Sequence, residues 1–343
     1  MRPQVVIGLN AVIMAVTAGA PRILTVKRAG HSLAPGRDKA RIQGDGSEPV
    51  EALPFGPLDP VADRTLELGL RRWVREQTGL ELGYVEQLYT FGNRNRDPQE
   101  LEGGPRVISV AYLALVREDK PSGTGEALWR ECYQFLPWED WRSGPPEVIR
   151  RTISPALEQW IAMSPGSVRQ EKQERCDINF GMRGAPWVPE RVLDRYELLY
   201  EVCLAAEALR DGLRPCGLPD GEKMRLQPAL GRPMALDHRR ILASALGRLR
   251  GKLKYRPVVF ELLPPNFTLL QLQRVVEALA GARLHKPNLR RLVERGGLVE
   301  GTGALESRTG GRPAELFRFR REVLRERPAP GVGLQSHRKG ARP

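Results

Sequence analysis

The chain opens on two apolar runs with a turn between them. VVIGLNAVIMAV, over Val5–Val16, has almost no polar position, and RILTVK, over Arg22–Lys27, follows the turn TAGAP. Short runs that are apolar on both faces read as buried strands, so the opening predicts a β-hairpin. A signal peptide with TAGA at its cleavage site is the competing reading. Its apolar run is only about twelve residues, broken by Gly8 and Asn10, whereas a membrane-crossing helix needs ~20. From about Gly30 to Pro49 the sequence is polar and glycine-rich, as in a loop. A helical period then runs from about Val61 to Thr78, and Gly79 stands where a helix C-cap belongs. YVEQLYTFG and RVISVAYLALV are β-branched and aromatic and predict two strands, with the loop NRNRDPQELEGGP between them.

Between Lys120 and Pro189 the pattern is less regular. This stretch holds Trp138, Trp141, Trp160 and Trp187, and the compact, turn-rich string LPWEDWRSGPP. A tryptophan cluster of this kind predicts a packed mini-core more readily than a ligand cage. PERVLDRYELLYEVCLAAEALRD predicts one helix from about Pro189 to Asp211, with Pro and Glu at its start. It is apolar on more than one face, which calls for burial in the core or at a dimer interface. Gly and Pro dominate from Gly212 to Pro233, which reads as a linker.

Past the linker, ALDHRRILASALGRLRGKLKY predicts a basic amphipathic helix that opens a second domain at about Met234. In TLLQLQRVVEALAG, Thr268 is a candidate N-cap, and Leu269, Leu272, Val276 and Leu279 form an apolar face. HKPNLRRLVERGGLVE follows after a short turn. Pro287 suits a first helical turn, Leu289, Leu292 and Val293 face inward, and Lys286, Asn288, Arg290, Arg291 and Arg295 are left outside. Two short helices joined by a tight turn, the second carrying Arg and Asn, predict a helix-turn-helix, because those side chains read guanine and adenine edges. LVEGTGALESRTGGRPAELFRFR then predicts a hairpin wing, with Arg308 and Arg312 flanking its glycine-rich tip. A helical hairpin with a merely solvated basic face is the alternative.

Charge sharpens this division. The formal net charge is +13, and residues from Arg232 onward hold 24 Lys and Arg against 9 Asp and Glu, while the preceding residues hold 30 against 32. All the excess positive charge sits in the last third, as expected of a nucleic-acid-binding domain attached to a neutral one. Cys132, Cys176, Cys203 and Cys216 form no CxxC pair, and with four His no zinc spacing appears, which fits a reducing, cytoplasmic setting.

The helix ending at Gly79 carries candidate chemistry. Its string RRWVREQTGL resembles the Nudix box, G-x5-E-x7-R-E-U-x-E-E-x-G-U with U aliphatic. Arg72, Val74, Glu76, Gly79 and Leu80 match, whereas Leu58, Arg64, Trp73 and Gln77 stand at the first Gly and at three of the four Glu. Glutamates three and four apart on a helix share a face and can gather Mg²⁺, which takes oxygen ligands and activates water. Only Glu76 remains of those four. The resemblance, with LPFG before the helix and strands around it, implies a degenerate Nudix domain that is not an enzyme and needs no metal or other cofactor. The alternative is an active Nudix nucleoside-diphosphate hydrolase with a nucleic-acid-binding appendage. A third reading is an RNA-binding protein.

Taken together the two domains resemble the Nudix-related transcriptional regulators of NAD metabolism, the NrtR type. The stretches that carry the likeness are LYTFGNRNRDP, RVISVAYLALV, ALDHRRILASALGRLRGKLKY, LLPPNFTLLQLQ, NLRRLVERGGLVE and GGRPAELFRF, and the middle segment with PWEDWR and RYELLYE is similar to the alphaproteobacterial NAD-regulator variant. The expected class is α+β. A degenerate Nudix α/β/α sandwich with a Trp-rich insert spans 1–211, a linker 212–233, a winged helix-turn-helix 234–327 and a disordered basic tail 328–343. The resemblance implies a homodimeric repressor of NAD biosynthesis or salvage genes. Its partners would be double-stranded operator DNA and a nucleotide effector such as ADP-ribose or NAD, with no membrane. Arg28, Arg94 and Arg96, which can pair with a diphosphate, and Tyr112, which can stack on a base, are the candidate effector residues.

Overall fold

The computed structural model describes residues 5–28, 50–93, 97, 100, 103–124, 126–213, 227–307, 313–326 and 331–332. The opening hairpin forms as expected, with β1 at Val5–Thr17 and β2 at Ala20–Arg28. Two short strands follow, β3 at Val50–Ala52 and β4 at Phe55–Pro57. Helix α1 spans Leu66–Thr78, and the longer strands β5, β6 and β7 span Tyr84–Phe91, Arg106–Leu115 and Ala127–Glu131. The main path of the sheet is β3-β2-β1-β6-β5, with β4 added to β1 and β7 to β2. β1 and β6 run parallel, from Val5–Arg106 to Met14–Leu115, and the other pairings are antiparallel.

The parallel pair explains the continuous apolar runs. Strands covered on both faces lose the alternation of a half-exposed sheet. Leu9, Ala11 and Ile13 of β1 and Val110, Tyr112 and Ala114 of β6 pack with Leu70 and Val74 of α1. Val12 and Met14, with Ala111, Leu113 and Leu115, point the other way into a larger core. That core is roofed by the insert and by a long helix, so the domain is an α/β/α sandwich.

Several expectations shift at their edges. α1 begins at Leu66 rather than near Val61. The Asp59 carboxylate accepts from the backbone of Val61 and Ala62, which holds that stretch as a turn, and Thr65 caps the helix by accepting from Leu68 N at 3.1 Å. The insert is more helical than its irregular pattern implied. A π-turn at Ile149–Ile153 leads into α2, Ser154–Ala162, and then α3, Gly166–Phe180. The single helix expected over 189–211 is two, α4 at Val192–Glu201 and α5 at Ala206–Arg210. Between them Cys203 takes a positive φ, and the Leu204 and Ala205 amides both return to the Leu199 carbonyl, so Val202, Leu204 and Ala205 are buried in the reversal.

The basic helix of the last third is α6, His238–Leu253. It packs most extensively against α4, and also against the sheet and the helix at Leu269–Ala280, so it lies between the first domain and the second. Ile241, Leu242, Ala245, Leu246, Leu249 and Leu253 are all fully buried. Its cations serve the first domain: Arg239 pairs with Glu207, Arg240 with Glu197, Arg250 with Glu139 and Lys252 with Glu86. Gly331 and Val332, expected in a disordered tail, pack on the end of this helix, where Val332 N donates to Leu253 O at 3.0 Å. Among the described residues no helix is long and apolar enough to cross a membrane.

The second domain follows. Helix α7 spans Leu269–Ala280, α8 Lys286–Arg295, and the antiparallel strands β8 and β9 Val299–Glu306 and Ala314–Phe319, before a last short helix, α9, at Val323–Glu326. Thr268 and Gln271 form the reciprocal capping box at the start of α7. Phe267 joins β9 by a bridge to Phe317, and Phe260 stacks on Phe319 at 4.3 Å, which closes the hairpin onto the helices.

Candidate functional site

Helix α8 is amphipathic in the expected sense. Leu289 and Val293 are buried against α7 and Leu292 is half-buried, while Lys286, Asn288, Arg290, Arg291 and Arg295 are all exposed. Pro287 occupies its first turn, where a missing N–H costs nothing. The exposed side chains are partly ordered among themselves. Arg291 donates to Asn288 Oδ1 at 3.2 Å, and Arg290 pairs with Glu294 one turn on. The first contact aims two base-reading side chain types from one face. The second is a surface pair of the kind that yields easily to a phosphate.

The hairpin places a second basic edge beside α8. Arg318 projects from β9, largely exposed and paired with Glu300 across the strands. Arg283, in the turn before α8, is 72% exposed. Sequence reading did not single out either residue. The strand period around Arg318 and the turn position of Arg283 were the available signals. Arg308 and Arg312, expected to flank the wing tip, lie outside the described residues.

The Nudix-box helix has been put to structural use. Trp73 lies over β4, where a Cβ on Gly56 would overlap the indole ring, and its Nε1 donates to Pro57 O at 2.7 Å. One turn on, Gln77 accepts from Phe55 N at 3.1 Å and donates to Phe55 O at 2.6 Å. Both side chains therefore fasten α1 to β4. Arg72 makes a bidentate pair with Asp63 at 2.9 and 3.0 Å, and this hydrogen bonding holds the Asp63 carboxyl below its ordinary range. Glu76 is left half-exposed, 3.5 Å from Arg72.

The Mg²⁺ that a Nudix box implies does not fit this set. An indole offers it no ligand, the Gln77 oxygen is engaged by backbone, and Glu76 and Asp63 are both drawn to the Arg72 guanidinium. Among the described residues no group of three His, Cys, Asp or Glu could hold a metal ion.

Of the candidate effector residues, Tyr112 is the one whose side chain is among the described residues. Arg28 closes β2 by backbone pairing to Val50. Arg94 and Arg96 lie outside the described residues. Tyr112 is 4% exposed, packed between the sheet and α1, and burial, with the nearby Glu67 charge, raises its phenol above the usual value. Its ring is core in this arrangement.

Comparison with known proteins bears on both domains. Residues 259–319 match the family model of the NrtR DNA-binding winged helix domain. A curated relative, the ADPR responsive transcriptional repressor NtrR of Acinetobacter baylyi, is 39% identical over 98 residues, a stretch that spans 29% of this chain and 39% of that protein. Among solved structures, a MutT/nudix family protein from Enterococcus faecalis matches over 93% of this chain and 88% of its own, at 16% identity and a TM-score of 0.50. The NrtR of Shewanella oneidensis, solved with a 27mer DNA, covers 92% of this chain and 94% of its own at 21% identity and a TM-score of 0.49. Residues 259–319 are thus similar to the NrtR DNA-binding winged helix domain, and the chain as a whole shares the fold of the Enterococcus protein.

Proposed function

We propose that this protein is a cytoplasmic, homodimeric transcriptional repressor of NAD biosynthesis or salvage genes, which senses ADP-ribose or a related nucleotide without hydrolysing it. The observation that carries this reading is the exposed Lys-Arg-Asn face of α8 inside the segment that matches the NrtR DNA-binding domain. The name of the Acinetobacter relative supports ADP-ribose as the effector. Loss of hydrolysis is supported by Trp73 and Gln77, which are committed to β4, and by Arg64, whose cation would repel a metal.

On this reading Asn288 and Arg291 read bases, while Lys286, Arg290 and Arg295, with Arg308 and Arg312 on the wing, hold phosphates. Arg28, Arg94 and Arg96 supply positive charge to the effector's diphosphate. Tyr112 joins them only if α1 shifts to open its ring. No separate cofactor is required. The test is binding of the purified protein to a duplex from the gene's own upstream region against a scrambled duplex and single-stranded RNA, at several salt concentrations. The reading expects the upstream duplex to be preferred by roughly 10³-fold or more. Equal binding to all three nucleic acids overturns it.

A further inference from the structure

The turn that presents α8 is not free-standing. Gly281 ends α7 with φ 66°, and a Cβ there would overlap the Glu139 carbonyl and lie 2.8 Å from the Tyr133 hydroxyl. Trp141 N donates to Gly281 O at 2.7 Å, and Trp141 and Ala282 form a parallel bridge. Tyr133 OH donates to Ala278 O at 2.7 Å, and Arg250 Nε to Leu279 O at 3.2 Å. These carbonyls close the last turn of α7, where intrahelical donors run out. The same inserted segment also reaches the sheet. Arg142 accepts from Arg283 through its backbone at 3.2 Å, while its guanidinium donates to Gly19 O, at the tip of the β1–β2 hairpin, at 2.7 Å.

Behind this contact the segment is anchored rigidly. Glu139, fully buried, bonds Arg195 of α4 through both oxygens and also takes Arg250 of α6. The Trp141 ring packs on Trp187 at 4.5 Å, and the Arg195 guanidinium lies 3.9 Å from the Trp187 ring centre. A buried, hydrogen-bonded ion cluster has few alternative arrangements. The insert is therefore fastened to α4 and α6 on one side and to the α7–α8 turn on the other.

We propose that Tyr133–Arg142 is the coupling element between the domains, and that Tyr133, Trp141 and Arg142 are positioning residues that set the direction of α8 and relay a ligand-dependent change in the sheet domain to it. This rests on the sensor-repressor reading above. Coupling between sites requires a physical element that both can bias, and this segment hydrogen-bonds both the hairpin tip and the turn before α8, where α7 also packs on β2.

The experiment uses the full chain, the upstream and scrambled duplexes, and ADP-ribose as probe. Gly281→Ala pushes the turn off the segment, and Tyr133→Phe removes one hydroxyl while keeping the ring. Gly212→Ala, at φ 76° with nothing within 4 Å, controls for backbone strain alone. In the wild type the DNA dissociation constants with and without ADP-ribose should differ by about 5- to 150-fold, and in Gly281→Ala and Tyr133→Phe that ratio should fall to about 1. Binding to scrambled DNA, and ADP-ribose binding by calorimetry, should be unchanged in both. Gly212→Ala should keep the wild-type ratio. A residue that merely stabilised the fold would lower the melting temperature and leave the ratio intact, so retention of the ratio in both variants overturns the proposal. A wild type that ignores ADP-ribose overturns the sensor reading itself, and the coupling role with it.

Discussion

The indole nitrogen of Trp73 donates to the carbonyl of Pro57 at 2.7 Å, at the helix position where a Nudix box places a glutamate. One turn later Gln77 hydrogen-bonds both backbone groups of Phe55. The helix face that would gather a metal has become the face that fastens α1 to β4. The change is more than a missing carboxylate, because the replacing side chains have structural partners of their own.

Restoring the glutamates should therefore harm the protein without producing an enzyme. Trp73→Glu removes a half-buried ring from over Gly56 and its bond to Pro57, and should cost roughly 2–3 kcal/mol. Urea unfolding would measure the loss. The double variant Trp73→Glu/Gln77→Glu should still lack magnesium-dependent ADP-ribose hydrolysis above ~1 s⁻¹, the low end of ordinary enzymes. A stable double variant that turns over would show that the site needs only its carboxylates back.

Two residues of α8 should separate sequence reading from affinity. Arg291→Ala should cost ~1–3 kcal/mol on the upstream duplex and little on scrambled DNA. Lys286→Ala should weaken both duplexes alike and make the salt slope shallower by roughly one unit. Titrations at several salt concentrations distinguish the two patterns. Wild-type binding by both variants would remove α8 from the interface.

The buried cluster around Glu139 gives a stability prediction with a definite pH window. Burial alone would raise the Glu139 carboxyl, but Arg195 and Arg250 overcome it and hold the group below the usual carboxylate range. A depressed folded value means that its stabilisation is complete above the unfolded value, about 4.3, and is lost as pH falls through the folded one. Glu139→Gln leaves two guanidiniums facing a neutral amide and should cost about 3–5 kcal/mol at neutral pH. The gap between variant and wild type should narrow below about pH 4. An equal gap by urea unfolding at both pH values would contradict this account of the cluster.

Much of this architecture could be read from residue order. The apolar run of β1 and the β-branched and aromatic residues of β6 marked both as strands, and Thr268, Pro287 and Gly79 marked helix ends where they occur. The charge asymmetry was only partly what it suggested. Arg239, Arg240, Arg250, Lys252 and Lys254 are counted with the last third, yet all five pair with carboxylates of the first domain, at Glu207, Glu197, Glu139, Glu86 and Glu190. A linear tally of charge cannot see pairs made across more than thirty residues. The insert hid its helices for a related reason. α3 is mostly polar, with only Cys176, Asn179 and Phe180 buried, so its period was weak, and the bonds from the Tyr133 hydroxyl and the Trp141 amide to α7 and its following turn are long-range contacts with no local signature.

The central claim is that one chain binds DNA and answers to ADP-ribose without destroying it. One titration tests this directly. Fluorescence anisotropy of the labelled upstream duplex would be followed with rising ADP-ribose and magnesium present, and the same samples analysed by chromatography for AMP and ribose 5-phosphate. The account predicts a change in DNA affinity of about fivefold or more with the ADP-ribose recovered intact. Unchanged DNA affinity with steady release of AMP would contradict it, and would identify the protein as a hydrolase.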